Sequence, residues 1–307
     1  MSRASRRAFA IVALLATLVA PAFAATGVRV SFPSLDIDPL HGTALMLSGL
    51  FFTPDPSAGG FPVVIALHGC DGMYSTLPSR RGLLSARHQA MADLLVAEGY
   101  AVLFPDSFNP RGRREVCSVP LGQRSVFPST RRLDVLGALE YVRTRNDVDP
   151  RHVALLGWSH GGSTVLASIN AHDRVVSLYA AEVAGREGYF VTAIAFYPGC
   201  NAALRDRRGY APISPLSIYI GEADDWTAAT PCVELGHRAM QRGDPIDVRT
   251  YAGAHHAFDA PGSGPPRHLD HPNGVHPGQG VTVAPDPVAR GDAYRRVKAV
   301  LRAALTP

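Results

Sequence analysis

Short, uninterrupted apolar runs recur along this chain, separated by segments whose apolar residues fall three and four positions apart. The runs read as buried strands, and the spaced segments read as helices packed on them. Gly27–Phe32 and Thr43–Phe52 come first, with no helical pattern between them, so an antiparallel start is expected. Turn chemistry follows at Thr53-Pro54-Asp55-Pro56 and Gly59-Gly60. Phe61–Leu67 is the first continuous run, and Met91, Leu94 and Leu95 mark a helix over Ala86–Glu98 that Gly99 closes. Tyr100–Phe104 is the next strand. Leu133, Leu136, Leu139 and Val142 share a face of a helix over Thr130–Thr144, which leaves Asp134 on the solvated side. Val153–Leu156, Val191–Tyr197, Leu216–Ile220 and Ile246–Tyr251 supply the remaining strands. Further helices are expected from Ser163, over Cys232–Arg242 and over Val288–Ala304.

Two stretches follow neither rhythm: the polar, Arg-rich 107–127 and the Pro-, Gly- and His-rich 261–285, which is expected to form an exposed excursion. Strands alternating with helices predict an α/β fold with a mostly parallel sheet and helices on both faces. No repeat and no second domain is visible, so residues 25–307 read as one unit.

Composition sharpens this picture. The chain has 307 residues, 46% hydrophobic and 18% charged, which suits a large core. Arg3, Arg6 and Arg7, the apolar run Ile11–Val19 and the small-x-small site Ala22-Phe23-Ala24 have the three parts of a secretory signal over residues 1–24. Ser5-Arg6-Arg7-Ala8-Phe9 also resembles a twin-arginine export signal. The run is too short for a stable membrane anchor, and no cysteine follows it for lipid attachment. A periplasmic or secreted protein is expected.

Removing that segment lowers the net charge from +4 to about +1, and Lys298 is the only lysine. No basic stripe interleaved with aromatics remains, so nucleic acid is not an expected partner. Four cysteines, Cys70, Cys117, Cys200 and Cys232, allow three pairings in an oxidising compartment. Cys70–Cys117 and Cys200–Cys232 are preferred, because each would join loops at the same edge of the sheet; buried free thiols are the alternative.

The chemistry centres on Gly157-Trp158-Ser159-His160-Gly161-Gly162, directly after the run Val153–Leu156. A strand ending in Gly-x-Ser-x-Gly and continuing as a helix can present the serine on a sharp, strained turn. Serine needs a base, and the base needs an acid to orient it. Both follow in the expected order: Asp224 or Asp225 after Leu216–Ile220, then His255 or His256 after Ile246–Tyr251. Spacing does not choose within either pair. His68 is expected to order its own loop and Trp158 to pack around the elbow. His268, His271 and His276 are too irregularly spaced for a metal site. No metal or cofactor is called for.

The chain resembles the dienelactone hydrolase family of α/β-hydrolases over most of residues 25–307. The resemblance rests on His68-Gly69-Cys70-Asp71-Gly72, the elbow, Gly221-Glu222-Ala223-Asp224 and His256-Ala257-Phe258. It implies an α/β-hydrolase fold with Ser159, Asp224 and His256 as the catalytic triad, and the backbone N–H groups of Cys70 and His160 as the oxyanion hole. Founding members of the family carry cysteine at the nucleophile, so serine here points to a general carboxylesterase acting on a small-molecule ester or lactone. Gly-Trp-Ser-x-Gly-Gly also occurs in secreted polyester hydrolases, which is the neighbouring alternative. A catalytically silent binding protein with the same fold is the alternative from another class. Arg111 and Arg113 lie at the expected active-site edge, where either could hold a substrate carboxylate or serve as ordinary surface arginines.

Overall fold

The computed structural model describes residues 24–54, 59–184 and 188–305. Its main sheet has eight strands: β1 (Val28–Ile37), β2 (Ala44–Phe52), β3 (Phe61–Leu67), β4 (Ala101–Asp106), β5 (Val148–Trp158), β6 (Thr192–Phe196), β7 (Leu216–Gly221) and β8 (Ile246–Tyr251). They lie in the order β1-β2-β4-β3-β5-β6-β7-β8. β1 and β2 form the antiparallel start, closed by the Asp38 N–H to Thr43 carbonyl bond of 2.8 Å; β2 pairs antiparallel with β4, and all other neighbours are parallel.

The uninterrupted apolar runs occupy the sheet centre, where Val63–Ala66, Ala101–Phe104 and Val153–Leu156 are wholly buried. Burial on both faces is what such runs require. The faces are covered by α1 (Ala86–Ala97), α2 (Pro128–Arg143), α3 (His160–Ser168), α4 (Arg174–Ala184), α5 (Asn201–Leu204), α6 (Ala229–Arg242) and α7 (Pro287–Leu305). Among the described residues, no helix is long and apolar enough to cross a membrane.

The structure departs from the sequence pattern in four places. Helix α2 starts at Pro128, two residues early, because proline at the first helical position sacrifices an N–H that has no acceptor there anyway. Asp134 is not solvated: it is buried within α2, where it accepts from Ser34 Oγ at 2.7 Å and pairs with Arg111. Helices α4 and α5 had no counterpart in the pattern. The 261–285 excursion contains a small antiparallel hairpin, β9 (Arg267–Leu269) with β10 (Val281–Val283). The signal-peptide reading falls on residues that, apart from Ala24, lie outside those described.

Candidate active site

Ser159 lies between β5 and α3 with φ 51° and ψ −114°, in the left-handed region that side chains rarely enter. Its N–H donates to the Phe196 carbonyl at 2.9 Å, which pins the turn to β6. The flanking glycines are required by close approach. A Cβ on Gly157 would lie 2.5 Å from the Gly161 carbonyl oxygen, and one on Gly161 would strike the Leu67 and His68 carbonyls.

Asp224 and His256 come from the turns after β7 and β8. His256 Nδ1 lies 2.7 Å from Asp224 Oδ2, with both side chains buried. The carboxylate is held from its other sides by the N–H groups of Trp226 (2.9 Å) and Thr227 (2.8 Å) on Oδ1. Thr227 Oγ1 lies 3.0 Å from Oδ2, 3.0 Å from the Tyr197 carbonyl and 3.1 Å from His256 Nδ1. A carboxylate so ligated fixes the tautomer of its histidine, with the proton on Nδ1 and Nε2 left as acceptor.

The two ambiguous neighbours have other tasks. The carboxylate of Asp225 accepts from Thr282 N (2.7 Å) and Thr282 Oγ1 (2.8 Å), and His255 Nδ1 donates to the Ala223 carbonyl at 3.0 Å.

Ser159 and His256 open onto one cavity of about 340 Å³, lined also by Cys70, Cys117, Arg87 and Trp226. A larger hollow of about 1020 Å³ lies at the other end of the sheet, against the first residues of β7 and β8. None of the candidate residues reaches it, and reactive groups of α/β sheets sit beyond the strands' carboxyl ends. Cys70 is bonded to Cys117, and Cys200 to Cys232. The first disulfide forms part of the cavity wall. The N–H of His160 opens α3, where the helix offers no acceptor. Among the described residues the Cys70 N–H has no acceptor either.

Several contributors carried no sequence signal. Tyr197, at φ 36°, faces the His256 ring at 4.4 Å between centroids and donates its hydroxyl to buried Asp259 at 2.5 Å. Trp158 Nε1 donates to the other oxygen of Asp259 at 2.7 Å, and Arg87 Nη1 donates to the Tyr197 hydroxyl at 3.1 Å. Burial, with Asp259 beside it, pushes the Tyr197 phenol well above its ordinary value, so it remains a donor. Wholly buried Arg131 donates to the His68 carbonyl and to His160 Nδ1, both at 2.9 Å. Burial first, and Arg131 second, hold His68 and His160 well below the usual histidine range, hence neutral. His68 bonds the Gly69 carbonyl (2.8 Å) and the Ser107 N–H (3.3 Å), ordering its own loop.

Arg111 and Arg113 do not line the cavity. Arg111 is turned inward, with its guanidinium on Asp134 (2.9 Å to each oxygen), Asp36 (2.6 Å) and the Ser107 carbonyl (2.8 Å). Two carboxylates already fill the fork that a substrate would need. Arg113 is exposed on the loop surface. Among the described residues, no three His, Cys, Asp or Glu side chains converge as a metal site.

A profile of the dienelactone hydrolase family matches residues 47–305. Over 138 residues the chain is 31% identical to YfhR, an uncharacterized protein of Salmonella typhi, covering 38% of this chain and 47% of that one. Over 132 residues it is 28% identical to YtaP of Bacillus subtilis, provisionally named a hydrolase, covering 41% and 44%. The match thus spans about half the length of these curated relatives. Esterase 2 of Thermogutta terrifontis, phosphorylated by paraoxon, superposes with TM-score 0.58 at 16% identity over 90% of this chain and 95% of its own. A Klebsiella pneumoniae protein provisionally named a dienelactone hydrolase gives 0.54 at 16%, over 89% and 98%. At such identities the likeness is one of fold, the α/β-hydrolase fold; the family follows from the profile, which spans the sheet from β2 to α7. The chain belongs to the dienelactone hydrolase family.

Proposed function

We propose that this protein is a serine hydrolase that cleaves carboxylic esters or lactones through an acyl-enzyme. The observation that carries the reading is the buried 2.7 Å Asp224–His256 pair opening onto the same cavity as the strained Ser159. In this scheme His256 Nε2 takes the Ser159 Oγ proton as Oγ attacks the ester carbonyl carbon. The carbonyl π electrons move to oxygen, which the N–H groups of Cys70 and His160 receive. Collapse expels the alkoxide, protonated by His256. Water, deprotonated by the same histidine, then releases the acid and restores Ser159. Asp224 orients His256 and stabilises the imidazolium. The two disulfides suit an oxidising compartment, in keeping with a periplasmic or secreted enzyme whose signal is residues 1–24.

Labelling with a fluorophosphonate probe, together with hydrolysis of p-nitrophenyl esters, tests the reading. Wild-type protein should label and turn over. Ser159→Ala should do neither while keeping its far-UV circular dichroism, with a loss of roughly 10⁴-fold or more in kcat. Turnover retained by Ser159→Ala would reject the scheme, and an inert wild-type protein would favour a silent binding role.

A further inference from the structure

We propose that Asp225 is a positioning residue that sets substrate selectivity, latching the 261–285 segment against the cavity of Ser159 and His256. The inference rests on the reading of that cavity as an ester site. The segment supplies one wall of it, through Pro261, Arg267, Leu269, His271 and Val283. Little apolar packing holds this wall. Its buried apolar side chains, Val281, Val283 and Ala284, cluster at one end, while Leu269 is half-buried and Val275 is exposed. A ladder of two three-residue strands is not stable by itself. Its hydrogen bonds to the rest of the molecule therefore decide where the wall stands.

Asp225 supplies three of them. Oδ1 accepts the Thr282 N–H at 2.7 Å, Oδ2 accepts the Thr282 hydroxyl at 2.8 Å, and the main-chain carbonyl accepts the Val275 N–H at 2.7 Å. An N–H or O–H bonded to an ionised carboxylate is stronger than a neutral pair. Thr282 adjoins Val283, which lines the cavity and bridges to His256. The remaining ties are the Ala284 N–H to the His256 carbonyl at 3.2 Å, the stacking of His271 on Trp226 with ring centres 5.0 Å apart, and Asn273. The Asn273 side chain accepts from Leu121 N and donates to the Val119 carbonyl, both at 2.8 Å. Adjacent aspartates thus divide the work: Asp224 faces the histidine and Asp225 faces the wall. A loosened wall costs binding to an ester long enough to reach Leu269 and Val283, whereas an acetyl group stays beside Ser159.

The test compares wild-type protein with Asp225→Ala, Asp225→Asn and Thr282→Val. It uses p-nitrophenyl acetate and p-nitrophenyl hexanoate, with hydrogen–deuterium exchange of peptides covering 267–284. Asp225→Ala should raise KM for the hexanoate roughly fivefold or more, leave kcat and KM for the acetate within about twofold, and speed exchange of the peptides. Asp225→Asn keeps an acceptor for Thr282 N and a donor to its hydroxyl oxygen but loses the charge, and should fall between wild type and Asp225→Ala. Thr282→Val, which removes one bond from the hairpin side, should show a smaller effect in the same direction. Unaltered exchange in Asp225→Ala, or equal losses on both esters, would overturn the proposal. A wild-type protein inert to both esters would instead overturn the ester reading and the selectivity role with it. Faster exchange in Asp225→Ala would even then establish the latch.

Discussion

Two arginines near the cavity loops, half-buried Arg111 and wholly buried Arg131, are held in opposite ways. Arg111 grips two carboxylates, Asp36 and Asp134, in a bidentate fork. Burial alone would lower its pKa, but those bonds outweigh burial and raise it. Arg131 donates to no carboxylate. Its Nη1 meets the His68 carbonyl and His160 Nδ1, its guanidinium lies 5.1 Å from the Phe108 ring centre, and its Nε and Nη2 have no partner. Burial lowers it to about 10, so it remains charged at neutral pH. The first arginine joins β1 to α2 as a structural clamp. The second ties the loop His68-Gly69-Cys70, whose Cys70 lines the Ser159 cavity, to His160 at the start of α3. A fully paired charge thus marks support, and an underpaired buried one beside the site marks positioning.

Removing the clamp should have the larger effect on stability. Arg111→Ala strands Asp134 in the interior with only Ser34 to bond it. Breaking a buried pair from one side costs about 3 kcal/mol. Urea denaturation should therefore show a midpoint well below wild type, largely recovered in the double variant Arg111→Ala/Asp134→Asn. Specific activity per folded molecule should not change, and acidic and neutral esters should respond alike. A selective KM rise for acidic esters would restore Arg111 as a substrate contact and collapse the comparison.

Arg131→Leu should invert that pattern. It unpairs the His68 carbonyl and His160 Nδ1, but also removes a desolvated cation, so the net stability change should be within about 2 kcal/mol. The loss should appear in kcat, roughly tenfold at saturating ester, because the segments carrying Cys70 and His160 lose their common donor. An unchanged kcat would make Arg131 a second support and nothing more.

The contrast also explains what the sequence could show. Strands β3 to β7 were legible because burial on both faces demands apolar runs, and edge strand β8 because Ile246 and Val248 alternate with Asp247 and Arg249. The order of Ser159, Asp224 and His256 was legible because each follows such a strand. Asp134 was misplaced because a paired, buried carboxylate has the same letter as a solvated one; its partner Arg111 lies 23 positions away. Tyr197 and Asp259, 62 positions apart, left no local trace either. The hairpin was missed because three residues cannot establish an alternation. Choosing Asp224 over Asp225 required the family resemblance, and the structure shows the physical difference: one carboxylate meets the His256 ring, the other a threonine.

The smallest effect separates the two arginine environments by pH. No imidazole is hydrogen-bonded to Arg111, whereas Arg131 bears on three that are held neutral: His68, His160 and His88. Burial, then Arg87, lowers His88 to about 4. Its ring packs 4.9 Å from Trp158, and its Nε2 has no partner. Unfolded, it would titrate near 6.5, so below that pH the unfolded chain binds the extra proton and the folded one does not. The stability this neutral histidine contributes is present at pH 7 and is lost as the pH falls through 6.5 toward 4. Between pH 7 and 5.5 that amounts to about 1 kcal/mol for one such group. In His88→Phe the fall in urea-unfolding free energy over this interval should be shallower by that amount. The double variant Arg111→Ala/Asp134→Asn, which strands no carboxylate, should keep the wild-type slope. A His88→Phe curve parallel to wild type would show that His88 takes up its proton as readily in the fold as in the unfolded chain, and that acid acts on this protein elsewhere.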